Sequence, residues 1–463
     1  MICIVMVAGS LWYAANWQDS VRTLMGMEES SGVQPFLLTI IAALLFFLAL
    51  GLGRLFRWVF LRLSVRLERH IPPRVSRLLA VAASIALFWM AINGVLLNFL
   101  LTAADRSFQQ LDALIDAELP RPMHADQTGS TASLINWEDL GRQGRNYVAT
   151  GPSDEDLSSF FGVSLPRPIR VYVGLNSADG AYQRARLALE ELIRVGGFKR
   201  SVLLLVTPTG TGWVDPAAQD TVEYLHRGDI ATVVVQYSYL NSPLALMTEA
   251  AYGAEMARAL FNEIYKYWHS LPTDSRPRLY LHGLSLGSLN SDLSFDFYDI
   301  IDDPFHGALW SGPPFRHDTW RQLTADRNPG SPFWLPQFRD GSVVRFMNQN
   351  TGLEKGSAKW GKFRIVFLQY ASDPITFFSP RTAWRVPDWM RDPRGPDVSP
   401  GLRWFPIVTM LQVAADTIVG TEPAGFGHDY AATHYIDAWM ALTEPGGWSD
   451  SELSRLRALF DEP

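Results

Sequence analysis

Three residues far apart in the chain have the types and settings of a nucleophile, a base and an acid: Ser285, His428 and Asp373. Ser285 is the centre of Gly283, Leu284, Ser285, Leu286 and Gly287, a G-x-S-x-G pattern directly after the apolar run 279–282. A strained strand-to-helix turn of this kind lifts the hydroxyl out of a sheet, and glycines two positions either side avoid backbone clashes. The helix N-terminus just beyond favours negative charge as it develops. Composition alone yields only about 0.15 chance matches to the bare pattern in a chain this long, and the strand upstream adds weight. A serine so placed attacks carbonyl carbon, provided that a base takes its proton and a carboxylate orients the base.

The chain order Ser, acid, His restricts the base to His306, His317, His428 and His434. His306 and His317 follow too closely on the nucleophile strand. His434 falls on a helix and reads as a packing residue. His428 stands in a glycine-flanked loop (GFGHDY) ahead of that helix, where an imidazole can swing to the hydroxyl. Asp373 follows the strand-like run 364–370 in YASDP, and carboxylates at the C-terminal ends of strands face the crevice of an α/β sheet. Asp302 and Asp303 precede a strand and rank lower. Amides for an oxyanion are expected from Leu286 and from Thr209 and Gly210, in the TPTGTGW loop two strands before the elbow. That loop lacks the Gly-Lys-Ser/Thr of a nucleotide cradle, and neither a metal nor a cofactor is expected.

These residues need a sheet to carry them. Strand-like runs at 169–174, 202–206, 232–237, 279–282, 308–310 and 364–369 alternate with helical patterns at 182–195, 220–226 and 243–269. Such alternation predicts a mostly parallel sheet with helices on both faces. Segments 315–360 and 377–404, with Phe333, Trp334, Phe338, Trp384 and Trp389 among many prolines, read as lid-like or site-wall insertions. The stretch 402–420 is apolar but holds Arg403, Pro406, Gln412 and Asp416, so it is expected as a buried helix and not a membrane span.

The chain has 463 residues, 48% hydrophobic and 19% charged, with net charge −7. This excludes a disordered chain, and the single Cys3 excludes a disulfide scaffold. The acidic balance argues against a nucleic-acid partner. Residues 1–104 nevertheless carry net +4, leaving −11 for the remainder. Uncharged stretches at 36–52 and 78–101 have the length of membrane spans, and 1–17 reads as a shorter one. Between the two longer stretches lie seven arginines from Arg54 to Arg77, a basic loop expected on the cytoplasmic face, whose spacing also resembles one face of a helix lying along the inner membrane surface. Asn93 and Asn98 read as interhelical hydrogen-bonding residues. The expected organisation is a helical transmembrane domain (1–104), a connector (105–165) and a catalytic α/β domain (166–463) outside the cytoplasm.

The chain resembles a family of bacterial membrane-anchored α/β-hydrolases with an N-terminal multi-helix domain. The resemblance rests on YVGL at 172–175, TGTGW at 209–213, QYSYL at 236–240, SLGS at 285–288 and Gly427-His428. It implies an α/β-hydrolase fold and a serine hydrolase with Ser285, Asp373 and His428 as its triad. A bacterial inner membrane and a lipid or cell-envelope ester are the expected partners. An acyltransferase using the same triad, and a membrane scaffold or transport protein with an inert hydrolase domain, are the alternatives.

Overall fold

The computed structural model describes residues 16–27, 35–69, 71–90, 112, 119–240, 250–350, 352–419 and 423–461. The chain forms two compact units, Met1–Phe108 and Gln109–Pro463. Of the stretch expected as a connector, the described residues (112 and 119–165) therefore belong to the second unit. They carry helices of their own, Gly141–Ala149 and Asp154–Phe161, the latter opened by a capping box between Ser153 and Asp156.

In the first unit α1 spans Pro35–Leu67 and α2 spans Pro73–Met90. The expected span 1–17 lies outside the described residues except for its last two, and so do 91–101 of the second long span with Asn93 and Asn98. The basic segment is mostly helix, as its arginine spacing suggests, and the loop is confined to a short turn. Arg54, Arg57, Arg62 and Arg66 ride on α1, which runs on unbroken because no proline intervenes before Pro72, and Arg74 and Arg77 begin α2. The two helices pack together: Ser76 Oγ donates to the Ser64 carbonyl at 2.9 Å, and Phe56 meets Phe88 edge to face at 5.4 Å. Among the described residues, α2 is long and apolar enough to cross a membrane.

The second unit is built on seven parallel strands: β1 (Ile169–Val173), β2 (Val202–Thr207), β3 (Ile230–Val235), β4 (Arg278–Leu284), β5 (Gly307–Ser311), β6 (Val344–Met347) and β7 (Arg364–Leu368), in the order β1-β3-β2-β4-β5-β7-β6. Strands covered on both faces need near-continuous apolar runs, and β3 supplies one in IATVVV, interrupted by Thr232 alone, with every residue buried. Helices α3 (Gly180–Arg194), α4 (Pro216–Leu225) and α5 (Ala250–Ser270) connect the first strands. Asp215 caps α4, with Pro216 at its first position, where a missing N–H costs nothing. Helix α6 (Leu286–Asp292) follows β4 directly, and after β7 come α7 (Pro374–Phe377), α8 (Val408–Val419), α9 (Ala432–Thr443) and α10 (Asp450–Asp461). Helices α3 and α5 pack together, and α9 packs with α4 and across β5 and β7.

Two expectations fail. Strand β6 lies inside the segment read as a lid-like insertion; at four residues, VRFM, it is too short for a periodic signal. Helix α8 is not buried: Thr409 alone among its described side chains is fully enclosed.

The sheet is locked at its β1 end by Arg170. Its guanidinium bonds Glu223 at 2.7 and 2.8 Å, Asp220 at 2.5 Å and the Tyr147 carbonyl at 2.8 Å. Glu223 is fully buried, so removing its counter-charge strands a carboxylate in the core. The variant Arg170→Met is expected to lose about 3–5 kcal/mol of stability, seen as a lower thermal midpoint that Glu223→Gln, added to it, partly restores.

Candidate active site

Because all strands run parallel, their C-terminal ends share one edge, and the predicted residues gather there. Ser285 leaves β4 at φ 57°, ψ −124° and is 4% exposed. Its amide donates to the Ser311 carbonyl at 2.9 Å, prolonging the β4–β5 ladder by one residue. The flanking glycines are required by contact: a Cβ on Gly283 would lie 2.3 Å from the Gly287 carbonyl, and one on Gly287 would lie 2.2 Å from the Thr207 oxygen. The second contact places the elbow against the start of the TPTGTGW loop.

That loop is held from below by two residues for which the sequence reading found no role. The Tyr172 hydroxyl on β1 donates to the Gly212 carbonyl at 2.8 Å, and the Gln236 side-chain amide donates to the Thr211 carbonyl at 3.1 Å. Three of the sequence blocks, YVGL, TGTGW and QYSYL, are thus one clamp. The expected Thr209 amide is committed within the loop, donating to the Trp213 carbonyl at 3.0 Å, so it is withdrawn as an oxyanion donor. Leu286 stands at the first position of α6, where its N–H has no intrahelical acceptor. Gly210 lies between Thr209 and the clamped Thr211.

Asp373 caps α7 beyond β7 and is buried. Its Oδ1 accepts the amides of Ile375 (2.8 Å) and Thr376 (3.2 Å). Its Oδ2 accepts the Thr376 hydroxyl (2.9 Å), the Tyr430 hydroxyl (2.7 Å) and His428 Nδ1 (2.8 Å). Burial alone would raise this carboxyl; the opposing charge and hydrogen bond of His428, with the Tyr430 hydroxyl and Thr376 amide, outweigh it and hold it below the ordinary carboxylate range. With Nδ1 donating to the carboxylate, a neutral ring presents Nε2 as its acceptor. The ring lies over Gly312, where a Cβ would come within 2.6 Å of its Cε1. Gly312 is the residue after Ser311, which anchors Ser285.

Tyr430 and Ser372 are further site residues missed in the sequence, although each lies within two positions of a predicted one. The Ser372 hydroxyl accepts the Gly427 amide at 2.9 Å and donates to Asp397 at 2.6 Å, pinning the His428 loop beside the acid. The other three candidate histidines are engaged elsewhere. His434 Nδ1 meets the Tyr370 hydroxyl at 2.5 Å, His306 Nδ1 accepts the Leu279 amide, and His317 caps the helix Asp318–Ala325. Asp303 is paired to Arg276 at 2.6 Å. Among the described residues, no three His, Cys, Asp or Glu side chains gather as a metal site requires.

The insertions divide between packing and surface. Phe333 packs on Trp320 and Phe377, and Trp389 is buried, whereas Trp384 is 69% exposed. Together with Phe315 and Phe378 they line a cleft of about 860 Å³.

A family model described as an alpha/beta-hydrolase family matches residues 169–456, and the model for that family's N-terminus matches residues 1–152. No curated protein matches the chain. Among solved structures, Trichoderma reesei cutinase in complex with a C11Y4 phosphonate inhibitor aligns at 16% identity over 42% of this chain and 75% of that one, with a TM-score of 0.22.

One buried carboxyl near the elbow makes stability depend on pH. Asp215 is pushed up to about 7 by burial, against the pull of the Tyr435 hydroxyl and the Ala217 amide. The unfolded carboxyl releases its proton near pH ~4, so across the interval up to about 7 the native state holds the extra proton. Stability from this group is therefore complete at low pH and falls as pH rises through that window. Asp215→Asn is expected to flatten that fall, measured as the difference in thermal midpoint between acidic and neutral buffer.

Proposed function

The chain belongs to the alpha/beta-hydrolase family, and on that footing we propose that it is a membrane-anchored serine hydrolase cleaving an ester or related acyl bond of a lipid or cell-envelope substrate. The observation that carries the reading is the 2.8 Å pair between Asp373 and His428, at the sheet edge where Ser285 stands on its strained turn. His428 Nε2 takes the Ser285 proton as Oγ attacks the carbonyl carbon, and Asp373 fixes the ring and stabilises the imidazolium. The Leu286 amide receives the oxyanion. The protonated His428 then gives its proton to the departing alcohol, and water, activated by the same base, releases the acid from the acyl-serine.

Membrane attachment is supported by the way α1 and α2 sort their side chains. Small residues, Ser76, Ala80 and Ser84, are buried, while Leu44, Phe46, Phe47, Leu78 and Trp89 face outward. A water-soluble helix pair does the reverse; in a bilayer small residues permit close packing and large apolar ones meet lipid. The Ser84 hydroxyl is satisfied by the Ala80 carbonyl at 2.7 Å, as a nonpolar surrounding requires. The arginines from Arg54 to Arg77 favour a cytoplasmic α1–α2 turn, and with it a second unit outside the cytoplasm. A reporter fused after residue 101 is then expected to be active outside the cytoplasm only; activity inside overturns the orientation.

A fluorophosphonate probe is expected to label the full-length protein on serine, and Ser285→Ala to abolish the labelling. Asp373→Asn is expected to slow labelling by roughly 10³–10⁴-fold, because it spoils the histidine tautomer. Undiminished labelling of Ser285→Ala overturns the assignment, and absence of labelling in the parent protein favours an inert domain.

A further inference from the structure

Helix α8 and the turn before it expose apolar side chains that a soluble surface has no reason to gather. Ile407 is 58% exposed, Val408 50% and Leu411 56%. They lie beside Trp384, because the Ile407 amide donates to the Ala383 carbonyl at 2.9 Å and the Trp404 indole donates to the Thr382 carbonyl at 2.8 Å. Arg381, Arg385 and Arg403 are exposed around them, and among the described residues no carboxylate pairs with any of the three. The nearby Asp388 is paired to Arg391. On α8 itself the outward polar groups, Gln412 and Asp416, come only after Leu411.

We propose that Trp384, Ile407, Val408 and Leu411, with Arg381 and Arg385 at their rim, form a surface that docks the second unit on an anionic lipid bilayer. An apolar patch edged by cations, with a tryptophan at its margin, matches the order of a membrane boundary, acyl chains inside and phosphate at the edge. Self-association through the same patch would set the arginines of two copies against each other, an electrostatic penalty that anionic headgroups convert into attraction. The surface also leads to the chemistry. Arg381, Trp384 and Arg385 stand on the wall of the 860 Å³ cleft, whose lining includes Thr376, the residue that bonds the catalytic carboxylate. A lipid drawn up at Trp384 thus enters beside the acid. The inference rests on the hydrolase reading only for what happens after docking.

The test uses the full chain with Cys3→Ser and Leu411→Cys, the new thiol carrying an environment-sensitive fluorophore. In phosphatidylglycerol vesicles the emission is expected to shift to the blue and brighten, and in phosphatidylcholine vesicles to do so far less. Arg381→Gln with Arg385→Gln removes the difference, and a label at Arg186 on α3 shows none. In the unlabelled protein, Ile407→Ser with Leu411→Ser lowers turnover of a long-chain ester held in phosphatidylglycerol vesicles by about ten-fold, with turnover of a short soluble ester unchanged. Equal emission in the two lipids overturns the proposal. So does a concentration-dependent dimer in the absence of lipid, which assigns the patch to a second copy, and so does an equal fall in both turnovers. If neither ester is turned over while the lipid-dependent emission persists, the hydrolase reading fails and the docking surface stands.

Discussion

The second unit is organised around a single backbone conformation that its sheet forces upon Ser285. At φ 57° and ψ −124° a residue with a side chain is strained by about 1–3 kcal/mol. It persists because the neighbours fix it from several directions: β2 and β5 flank β4 in parallel register, and the Ser311 carbonyl holds the Ser285 amide. Gly283 and Gly287 permit approaches that any other residue would block. The TPTGTGW loop depends on the same contact, since Gly287 rests on the Thr207 carbonyl from which that loop departs. The turn that holds Ser285 therefore also fixes where that loop begins.

The acid is held by a different means. A carboxylate taken out of water must recover its hydration from the protein, and Asp373 does so with five donors, two amides, two hydroxyls and one imidazole. Tyr430 joins this shell to the core: it stacks on Tyr370 at 4.3 Å, and Tyr370 in turn accepts the Ala431 amide and meets His434. The loop carrying His428 is thus tied at both ends, by Gly427 to Ser372 and by Ala431 to Tyr370. No strand is needed between acid and base, because β6, which completes the sheet beyond β7, precedes β7 in the chain.

What could be read in the sequence was chemistry with a local signature. The elbow is contiguous, so its glycines, serine and preceding strand announce themselves together, and Asp373 and His428 follow from chain order and from their place after a strand or in a glycine loop. What could not be read depends on partners distant in the chain. The fate of the Thr209 amide is decided by Trp213 and by the clamp from Tyr172 and Gln236, and no pattern in TGTGW distinguishes a donor aimed at substrate from one closing the turn. Helix α8 was misjudged because apolar content was equated with burial. Its composition fits a core, and only the arrangement of neighbouring elements shows that those side chains face outward. In α1, likewise, the arginines read as a loop between two spans, yet the helix runs on through most of them.

The helix Gly141–Ala149, from the stretch that looked like a connector, has a consequence for the integrity of the sheet. Strand β1 is the terminal strand, and such a rim offers unpaired amides and carbonyls to any passing chain. The helix packs on one face of that strand, with Gly144 so close to Tyr172 that a Cβ would come within 2.5 Å of the ring, and the Asp139 carbonyl presses on Gly174 beyond the strand's end. A chain cut at the apparent domain start, residue 166, would keep Ser285, Asp373 and His428 but strip this cover from Arg170 and Tyr172, leaving apolar surface bare on the strand at the sheet's rim and inviting aggregation.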